Sequence, residues 1–332
     1  MATTAPPGDE ATELSKQYET PLGLAHTTMQ ALKDRIKLHY DLASDYYLSL
    51  WGEHIHHGYW PTEESRANDS KEVAQVNLIK LLVEISNFAP GSTVLDVGCG
   101  MGGTARYLAS QLGCTVTGIT ISDKQVEIAK RLTVTAAEAE GAKEGGTDAA
   151  AVGPDADGFI ALGKGKVRFM ELDAEKMAGR FPGDFDAVWI SEALTHFPDK
   201  PLFFRNALAV LKPGGRVVLN DWFKAENLDA QGYENDIKPI EDGMLLPPLF
   251  TQREHVEMAT AAGLKVLAPP KDISKEVSKT WDITWSLIQK PSLWAFALSQ
   301  GRDGIAFLQS FRAMRRGYAN GNFRYAVMAF QK

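Results

Sequence analysis

The sequence has little cysteine, no long apolar run and no excess of positive charge. Its 332 residues include only Cys99 and Cys114, too few for a disulfide scaffold, which indicates a reducing compartment. No apolar stretch reaches the roughly 18 residues that a membrane-spanning helix requires. The first twenty residues carry neither the apolar core of a signal peptide nor an arginine-rich amphipathic pattern. We therefore expect a cytoplasmic protein without a membrane span.

The charge balance narrows the choice of partners. The chain has 35 lysines and arginines against 42 aspartates and glutamates, a formal net charge of −7, and no basic cluster stands out. Because binding to nucleic acid depends on concentrated positive charge, we expect a small-molecule substrate and no nucleic acid. The hydrophobic content of 44% is typical of a globular protein. We expect a monomer or a homodimer.

Short apolar runs alternate with helical patterns from residue 93 onward. The predicted helices between them cover residues 104–112, 122–132, 201–211 and 251–262. The predicted strands cover residues 93–97, 115–120, 167–170, 185–190, 216–220, 264–268 and 323–330. Strands that alternate with helices predict an α/β fold, with a mostly parallel sheet and helices on both of its faces.

Four segments precede this alternation or interrupt it. Residues 1–30 are polar, and we expect them to be disordered or loosely attached to a domain that covers 31–332. Residues 31–65 contain a helical apolar stripe and predict an N-terminal cap. Residues 134–166 are rich in alanine, glycine and acids, which predicts an insertion loop. Residues 230–318 carry three tryptophans and predict a partly helical substrate lid, although core packing explains them equally well.

The run VLDVGCGMGG, residues 94–103, joins the first predicted strand to a helix. Gly98 and Gly100 allow the backbone to approach a ligand, and free N–H groups at a helix start attract an anion. Asp96 can accept a hydrogen bond from an ammonium group or order the loop. A nicotinamide site would carry an acid at the end of the second strand, where Thr120 stands, so a nicotinamide enzyme is disfavoured. Taken alone, the pattern also fits a turn without a ligand.

With these motifs the sequence resembles the class I S-adenosylmethionine-dependent methyltransferases. The resemblance is to the branch that contains tocopherol methyltransferases, sterol C-methyltransferases and cyclopropane fatty-acid synthases, and it covers roughly residues 35–332. It implies a Rossmann-like fold with a seven-stranded, mostly parallel sheet, an antiparallel last strand and a helical cap. The motifs are WGEHIHHGYW at 51–60, VLDVGCGMGGTARYLA from 94, VTGITISDKQ at 116–125, LDAEKM at 172–177, VWISEALTHFPDK at 188–200 and LKPGGRVVLNDW at 211–222.

The resemblance implies that S-adenosylmethionine is the cofactor. Around its amino-acid part the matching positions are Asp96, Gly98 and Gly100. Ser191 would approach the methionine end, and Tyr40 would close over the carboxylate. Packing alone is an alternative role for Tyr40.

The adenosine part of the cofactor would lie farther along the same edge. Thr120, Ile121 and Gln125 would hold the ribose and flank the adenine. Asp173 would accept a hydrogen bond from the adenine amino group, with Ala174 beside it. Gln125 also fits a capping box with the serine three residues before it, and Asp173 also fits a helix cap.

Methyl transfer needs a nucleophile held in line with the methyl carbon in a water-poor site. A phenol, thiol or protonated amine must also lose a proton, which a histidine or carboxylate assists. Glu192 and His196 follow the fourth strand, at the edge where such sheets bind ligands, and match the tocopherol-type motif. We predict a catalytic role for both and for His57. Loop packing is the alternative for His196, and Asp221 is placed to face the same cleft.

The histidines His54, His56 and His57 raise the question of a metal site. Their spacing puts two imidazoles on one face of an extended segment, but no matching cysteine or histidine cluster exists elsewhere. We therefore expect no metal, and expect these residues to line the floor of the active site or to orient Tyr59 and Trp60.

The predicted function is transfer of a methyl group from S-adenosylmethionine to a small apolar or aromatic acceptor, at an O, N or C atom. Two alternatives use the same motifs. One is a cyclase or lyase that binds S-adenosylmethionine without methylating. The other is a non-catalytic S-adenosylmethionine-binding module.

Overall fold

The computed structural model describes most of the chain from residue 51 onward. It describes residues 51–143, 152–181, 183–289 and 302–332, with single positions at 34, 36, 37, 40, 41, 44, 45, 47–49, 294 and 298. The predicted loose N-terminus, residues 1–30, and the centre of the predicted insertion, residues 144–151, lie outside the described residues.

A sheet of eight strands forms the centre of the described fold. Their order across the sheet is β3-β4-β2-β1-β5-β6-β8-β7. The strands β4, β2, β1, β5 and β6 are parallel, and the outer pairings β3–β4, β6–β8 and β7–β8 are antiparallel. The strands are β1 Thr93–Val97, β2 Thr115–Thr120, β3 Ile160–Leu162, β4 Gly165–Glu171, β5 Phe185–Ser191, β6 Leu211–Lys224, β7 Lys265–Asp272 and β8 Phe323–Gln331.

Helices cover both faces of this sheet. The described positions between 34 and 51 are also mostly helical, and short helical turns occupy Ala174–Lys176, Leu194–His196, Ala230–Gly232 and Tyr233–Ile237. The helices are α1 Glu63–Asn68, α2 Lys71–Ser86, α3 Gly103–Leu112, α4 Asp123–Lys143, α5 Met177–Arg180, α6 Lys200–Val210, α7 Lys238–Gly243, α8 Gln252–Ala261, α9 Ser274–Val277, α10 Lys279–Ile288 and α11 Arg302–Asn320.

The central strands are apolar along nearly their whole length because helices bury both of their faces. One apolar cluster joins Leu78 of α2 to Trp189 of β5. A second cluster on the other face joins Leu95 of β1 to Phe204 of α6. The predicted α/β fold with a Rossmann-like, mostly parallel sheet is confirmed.

The stretch predicted as an insertion differs from a plain loop at both ends. Helix α4 continues to Lys143, about three turns beyond the predicted end at Leu132, because the alanines and glutamates that follow favour helix. At the other end Ile160 and Leu162 are buried while Ala161 is exposed, and this alternation forms β3 against β4. The sheet therefore has one strand more than the seven that the sequence predicts.

Local signals at the helix ends are largely confirmed. Gly113 ends α3 with a φ of 68°, and Thr251 with Glu254 forms the predicted capping box of α8. The second predicted capping box, of Ser122 with Gln125, is only half formed. The Ser122 hydroxyl accepts from the backbone N–H of Gln125 at 3.1 Å, but the Gln125 side chain turns to another partner. Among the described helices, none has the length and apolar character to cross a membrane.

Candidate functional site

The predicted cofactor residues lie along one edge of the sheet. Strands β4, β2, β1 and β5 are neighbours and run in the same direction, so their carboxyl ends meet at that edge. Asp173 follows β4, Thr120 ends β2, Asp96 lies near the end of β1 and Ser191 ends β5. Ligands of open parallel sheets bind at this edge, which makes it the candidate site.

The glycine loop after β1 is fixed against its neighbours. Gly98 and Gly100 have φ values of 69° and 52°, in the left-handed region that favours glycine. The N–H groups of Gly98 and Cys99 both donate to the carbonyl of Ile119, at 2.9 and 3.0 Å. A Cβ atom on Gly98 would stand 2.4 Å from the Cβ of Ala193. Glycine is therefore required there by both conformation and space.

Asp96 presents a buried acceptor at this loop. Its side chain is only 3% exposed, and its Oδ2 atom has no hydrogen-bond partner among the described residues. Burial raises the pKa of Asp96 to about 7. A buried carboxylate oxygen without a donor is costly, and a cationic ligand group would remove that cost.

The end of β2 is polar and already internally bonded. The Thr120 hydroxyl donates to the Gln125 side-chain oxygen at 2.7 Å, and both side chains are buried. The carbonyl of Ile121 accepts from the Lys37 ammonium at 2.9 Å, and Lys37 also pairs with Glu171 at 2.9 Å. The N-terminal segment therefore contacts the edge where the cofactor residues are predicted.

Asp173 caps the short helix that follows β4. Its Oδ1 atom accepts from the backbone N–H of Glu175 at 3.0 Å, and the adjacent Ala174 is buried. The capping role that the sequence suggested is therefore present. The contact of Asp173 with an adenine amino group stays a prediction.

Glu192 and His57, which are 135 residues apart in the chain, form a hydrogen-bonded pair. The Glu192 Oε2 atom lies 2.9 Å from Nδ1 of His57, and Oε1 accepts from the His57 backbone N–H at 2.6 Å. The His57 side chain is 3% exposed and the Glu192 side chain is 10% exposed. The carboxylate thus fixes the backbone and the ring of the same histidine.

Two further residues complete this arrangement. The Tyr325 hydroxyl of β8 donates to Oε1 of Glu192 at 2.6 Å, and the Asn220 side-chain amide of β6 donates to the same hydroxyl at 2.5 Å. Burial alone would raise the pKa of Glu192, but the charge of His57 and the hydrogen bonds from His57 and Tyr325 outweigh it and lower that pKa. Glu192 is therefore an ionised carboxylate.

The other side of the His57 ring faces aromatic residues. Its ring centroid lies 4.7 Å from that of Tyr325, 4.8 Å from Trp281 and 6.1 Å from Trp222. The Nε2 atom of His57 is buried and has no hydrogen-bond partner among the described residues. The imidazole therefore has one nitrogen held by a carboxylate and the other directed into an apolar, aromatic environment.

The predicted residues His196 and Tyr40 are in contact with each other. Nε2 of His196 lies 3.2 Å from the Tyr40 hydroxyl, and the two rings meet edge to face. Burial, together with the charges of Glu192 and Asp221, raises the pKa of Tyr40. The structure thus brings His196 together with Tyr40, and Glu192 together with His57.

Asp221 does not face the cleft as expected, because its carboxylate is fully buried and bonded to the turn that carries His196. One oxygen accepts from the Thr195 backbone N–H at 2.8 Å, and the other accepts from the Thr195 hydroxyl and from the N–H of Trp222. The Lys200 ammonium donates to the Thr195 carbonyl at 3.3 Å. The Thr195 peptide groups are thus held from both sides.

The remaining histidines of the motif, His54 and His56, are not grouped around a metal position. Nδ1 of His56 lies 2.9 Å from the carbonyl of His57, and the Gln75 side chain donates to the carbonyls of His54 and His56. Burial lowers the pKa of His54 and His56. Over the residues described, no group of three histidine, cysteine or acidic side chains has the geometry to hold a metal ion.

Sequence reasoning missed Asn220, Tyr325 and Gln75. Asn220 carried a usable signal, since it and Asp221 are adjacent polar residues at the end of an otherwise apolar strand. Tyr325 carried none, because it stands in a strand where an aromatic residue is ordinary core.

Comparison with known proteins agrees with this geometry. Residues 95–219 match the family described as "Methyltransferase domain", and residues 27–144 match "Mycolic acid cyclopropane synthetase". The chain is 36% identical over 292 residues to 2-methyl-6-phytyl-1,4-hydroquinone methyltransferase of Synechocystis sp., covering 83% of this chain and 80% of the relative. It is 27% identical over 327 residues to the chloroplastic tocopherol O-methyltransferase of Arabidopsis thaliana, covering 93% of this chain and 84% of that one.

The fold also matches solved structures. The [4+2]-cyclase SpnF superposes with a TM-score of 0.68 at 23% identity, covering 90% of this chain and 96% of the other. That likeness concerns the fold alone. The identity and coverage shared with the hydroquinone methyltransferase go further, and they assign the chain to a family. It belongs to the class I S-adenosylmethionine-dependent methyltransferases, with S-adenosylmethionine as its cofactor.

Proposed function

We propose that this methyltransferase acts on a hydroxylated aromatic ring that carries an apolar substituent. One observation carries the proposal. The His57 imidazole is bound through Nδ1 to the Glu192 carboxylate, while its Nε2 atom is buried without a described partner among the rings of Trp222, Trp281 and Tyr325. A base surrounded by aromatic side chains suits an aromatic acceptor that must lose a proton.

The residues at the sheet edge fit S-adenosylmethionine. Its ammonium group would satisfy the buried Oδ2 atom of Asp96, and its amino-acid part would lie against Gly98 and Gly100. Thr120, Ile121, Gln125, Asp173 and Ala174 would hold the adenosine, with Ser191 near the methionine end and Tyr40 over the carboxylate. When bound, the cofactor supplies a methyl group already activated on a sulfonium.

The protein's own contribution is proton removal and alignment. With Nδ1–H of His57 donating to Glu192, the lone pair of Nε2 is available to accept the proton of a phenolic hydroxyl. The ionised carboxylate stabilises the imidazolium that results. The phenolate is nucleophilic at its oxygen and at the ring carbons beside it, so the same base serves O- and C-methylation.

We propose that His196 orients Tyr40 and closes the cofactor side. The contact of 3.2 Å between the two side chains supports this role, and His196 also remains a second candidate for the base. The contact leaves His57 as the imidazole whose free nitrogen faces the aromatic rings.

Two relatives support the acceptor class. Their names state that one acts on a phytyl hydroquinone and the other on tocopherol. Each substrate name combines an oxygenated ring with an apolar chain. We infer the same class of acceptor here, with the methylated atom to be read from the product.

We propose that residues 31–65 and 230–318 form the cover of the acceptor site. The segment that carries His57 is bonded to the second region. The backbone N–H of Trp60 donates to the carbonyl of Glu276 at 3.1 Å, and the backbone N–H of Gly58 donates to the Thr280 hydroxyl at 3.1 Å. The base and the tryptophans around it are therefore held as a unit.

We also propose that the enzyme acts in the cytoplasm as a monomer or homodimer, with no nucleic-acid partner. The net charge of −7 and the two free, buried cysteines support this setting. The Arabidopsis relative is chloroplastic by name, so fractionation of the source cell is the test.

The test is turnover with methyl-labelled S-adenosylmethionine against hydroquinones and phenols with an apolar tail. We expect a product that gains one labelled methyl group, located by fragmentation on the phenolic oxygen or the adjacent ring carbon. The same compounds with every hydroxyl replaced by hydrogen should not react. Equal turnover of those analogues would overturn the proposal.

The His57→Gln variant tests the base directly. We expect kcat to fall by about 10²- to 10⁴-fold, the usual contribution of general-base catalysis, with cofactor affinity unchanged by calorimetry. The loss should shrink for acidic phenols, which are already ionised at neutral pH. A loss that is equal for acidic and ordinary phenols would show that His57 does not take the proton.

A further inference from the structure

We propose that Tyr325 and Asn220 are positioning residues that fix the His57 tautomer through Glu192. This inference deepens the proposed function and rests on it for the identity of the base. It concerns a chain of four buried side chains, from Asn220 through Tyr325 and Glu192 to His57, with contacts of 2.5, 2.6 and 2.9 Å.

The direction of every hydrogen bond in the chain is determined by its members. An ionised carboxylate only accepts, so the Tyr325 hydroxyl must direct its proton to Oε1 of Glu192 at 2.6 Å. The phenol oxygen is then an acceptor, and Asn220 must turn the nitrogen of its amide toward it. At the other end Oε2 of Glu192 can only accept, so His57 carries its proton on Nδ1. In the neutral imidazole this is the only N–H of the ring, and the Nε2 atom keeps its lone pair.

The backbone of Glu192 depends on the same asparagine. Glu192 has a φ of 51°, in the left-handed region that is unfavourable for most non-glycine residues. Its N–H donates to the carbonyl of Asn220 at 2.9 Å. Asn220 thus holds the backbone of Glu192 through its carbonyl and the side chain of Glu192 through Tyr325.

Removal of the Tyr325 hydroxyl should loosen the position of the Glu192 carboxylate without removing its other hydrogen bonds. Glu192 would keep two donors, both from His57, and would be free to rotate away from the geometry that selects the Nδ1–H tautomer. Loss of a donor also raises the pKa of Glu192, because the hydrogen bond from Tyr325 is one of the causes that lower it.

The first experiment is nitrogen NMR of the full-length protein labelled in its histidine rings, without any acceptor. In the wild type we expect the His57 signals of a single Nδ1–H tautomer. In Tyr325→Phe we expect signals of mixed tautomers. The matched control is Tyr107→Phe, which removes a phenol hydroxyl from α3, away from Glu192, and should leave the His57 signals unchanged.

The second experiment compares the kinetics of the same variants. We expect Tyr325→Phe to lower kcat by about 10- to 100-fold, as for loss of a hydrogen bond to a charged group, with little change in the KM for S-adenosylmethionine. We expect Asn220→Ala to give a loss at least as large. Tyr107→Phe should match the wild type.

The outcomes separate this inference from the proposed function. A single, unchanged tautomer in Tyr325→Phe overturns the positioning role, even if phenols are methylated. Signals of one tautomer in the wild type and of mixed tautomers in Tyr325→Phe support the positioning role, even if no phenol is methylated. In that case it is the proposed acceptor that is wrong.

Discussion

At the scale of single residues, the clearest prediction concerns the carboxylate at the glycine loop. Asp96 is buried, has a pKa of about 7 and keeps Oδ2 without a partner in the described part of the chain. In the protein without cofactor, a carboxyl with this pKa is about half protonated at neutral pH. Binding of a cationic group favours the ionised form, so cofactor binding should expel a proton.

We therefore expect S-adenosylmethionine to bind more tightly as pH rises through about 7. Asp96→Asn should weaken binding by about 10- to 100-fold and abolish that pH dependence, because a charged acceptor is lost. Calorimetry in two buffers of different ionisation enthalpy measures both the affinity and the proton released. Asp157→Asn, on an exposed turn, is the control. Equal proton release by Asp96→Asn would assign the titration to another group.

At the scale of elements, the turn Leu194–His196 after β5 is held by two other elements. Asp221 of β6 accepts from the backbone N–H and the hydroxyl of Thr195, and Lys200 of α6 donates to its carbonyl. Burial raises the pKa of Asp221 to about 6 and lowers that of Lys200 to about 8. Through Thr195, these groups set the position of the neighbouring His196.

Asp221→Asn should loosen this turn, since an amide has one oxygen where the carboxylate uses two. We expect the amide hydrogens of Thr195 and His196 to exchange faster and the free energy of unfolding to fall by about 1 to 3 kcal/mol. Hydrogen exchange followed by mass spectrometry and urea unfolding measure the two effects. The exposed Asp184→Asn is the matched control. Unaltered exchange at Thr195 would mean that Asp221 does not hold the turn.

The sequence predicts the parts of the fold and site that have local patterns. Alternating apolar runs predict the strands, and the glycines predict the loop beside Asp96. The contacts between distant residues have no such pattern. His57 and Glu192 are 135 residues apart, and Asn220 and Tyr325 are 105 apart. The second contact depends on the pairing of β8 with β6, and the first on where the loop around His57 packs against the end of β5; no periodicity in the sequence reveals either.

At the scale of the whole molecule, one buried aspartate joins the helical turn Tyr233–Ile237 to the end of helix α11 and the residues after it. Asp236 is 1% exposed and accepts from Arg316 at 2.5 Å, and from Asn320 and Asn322 at 2.8 Å each. Burial alone would raise the pKa of Asp236, but these three donors lower it. The carboxylate therefore stabilises the fold above its unfolded pKa of about 4, and that stabilisation is lost as pH falls through the folded value.

Asp236→Ala should lower the free energy of unfolding by about 2 to 4 kcal/mol at pH 7, because two amides and a guanidinium lose a buried, charged acceptor. The difference from wild type should shrink as pH falls below about 4 toward the lowered folded pKa, where the wild-type carboxylate becomes protonated. Urea unfolding at both pH values is the measurement. Glu234→Ala removes only an exposed pair with Lys238 and should cost less than about 1 kcal/mol. Equal costs for the two variants would refute the role of Asp236.

The contact between His57 and the two tryptophans also has an optical consequence. A protonated imidazole quenches the fluorescence of an indole that it touches, whereas a neutral one quenches it much less. Trp281 and Trp222 lie 4.8 and 6.1 Å from the His57 ring. Tryptophan emission should therefore report the protonation of the proposed base. A stopped-flow experiment could follow that proton during a single turnover without an added dye.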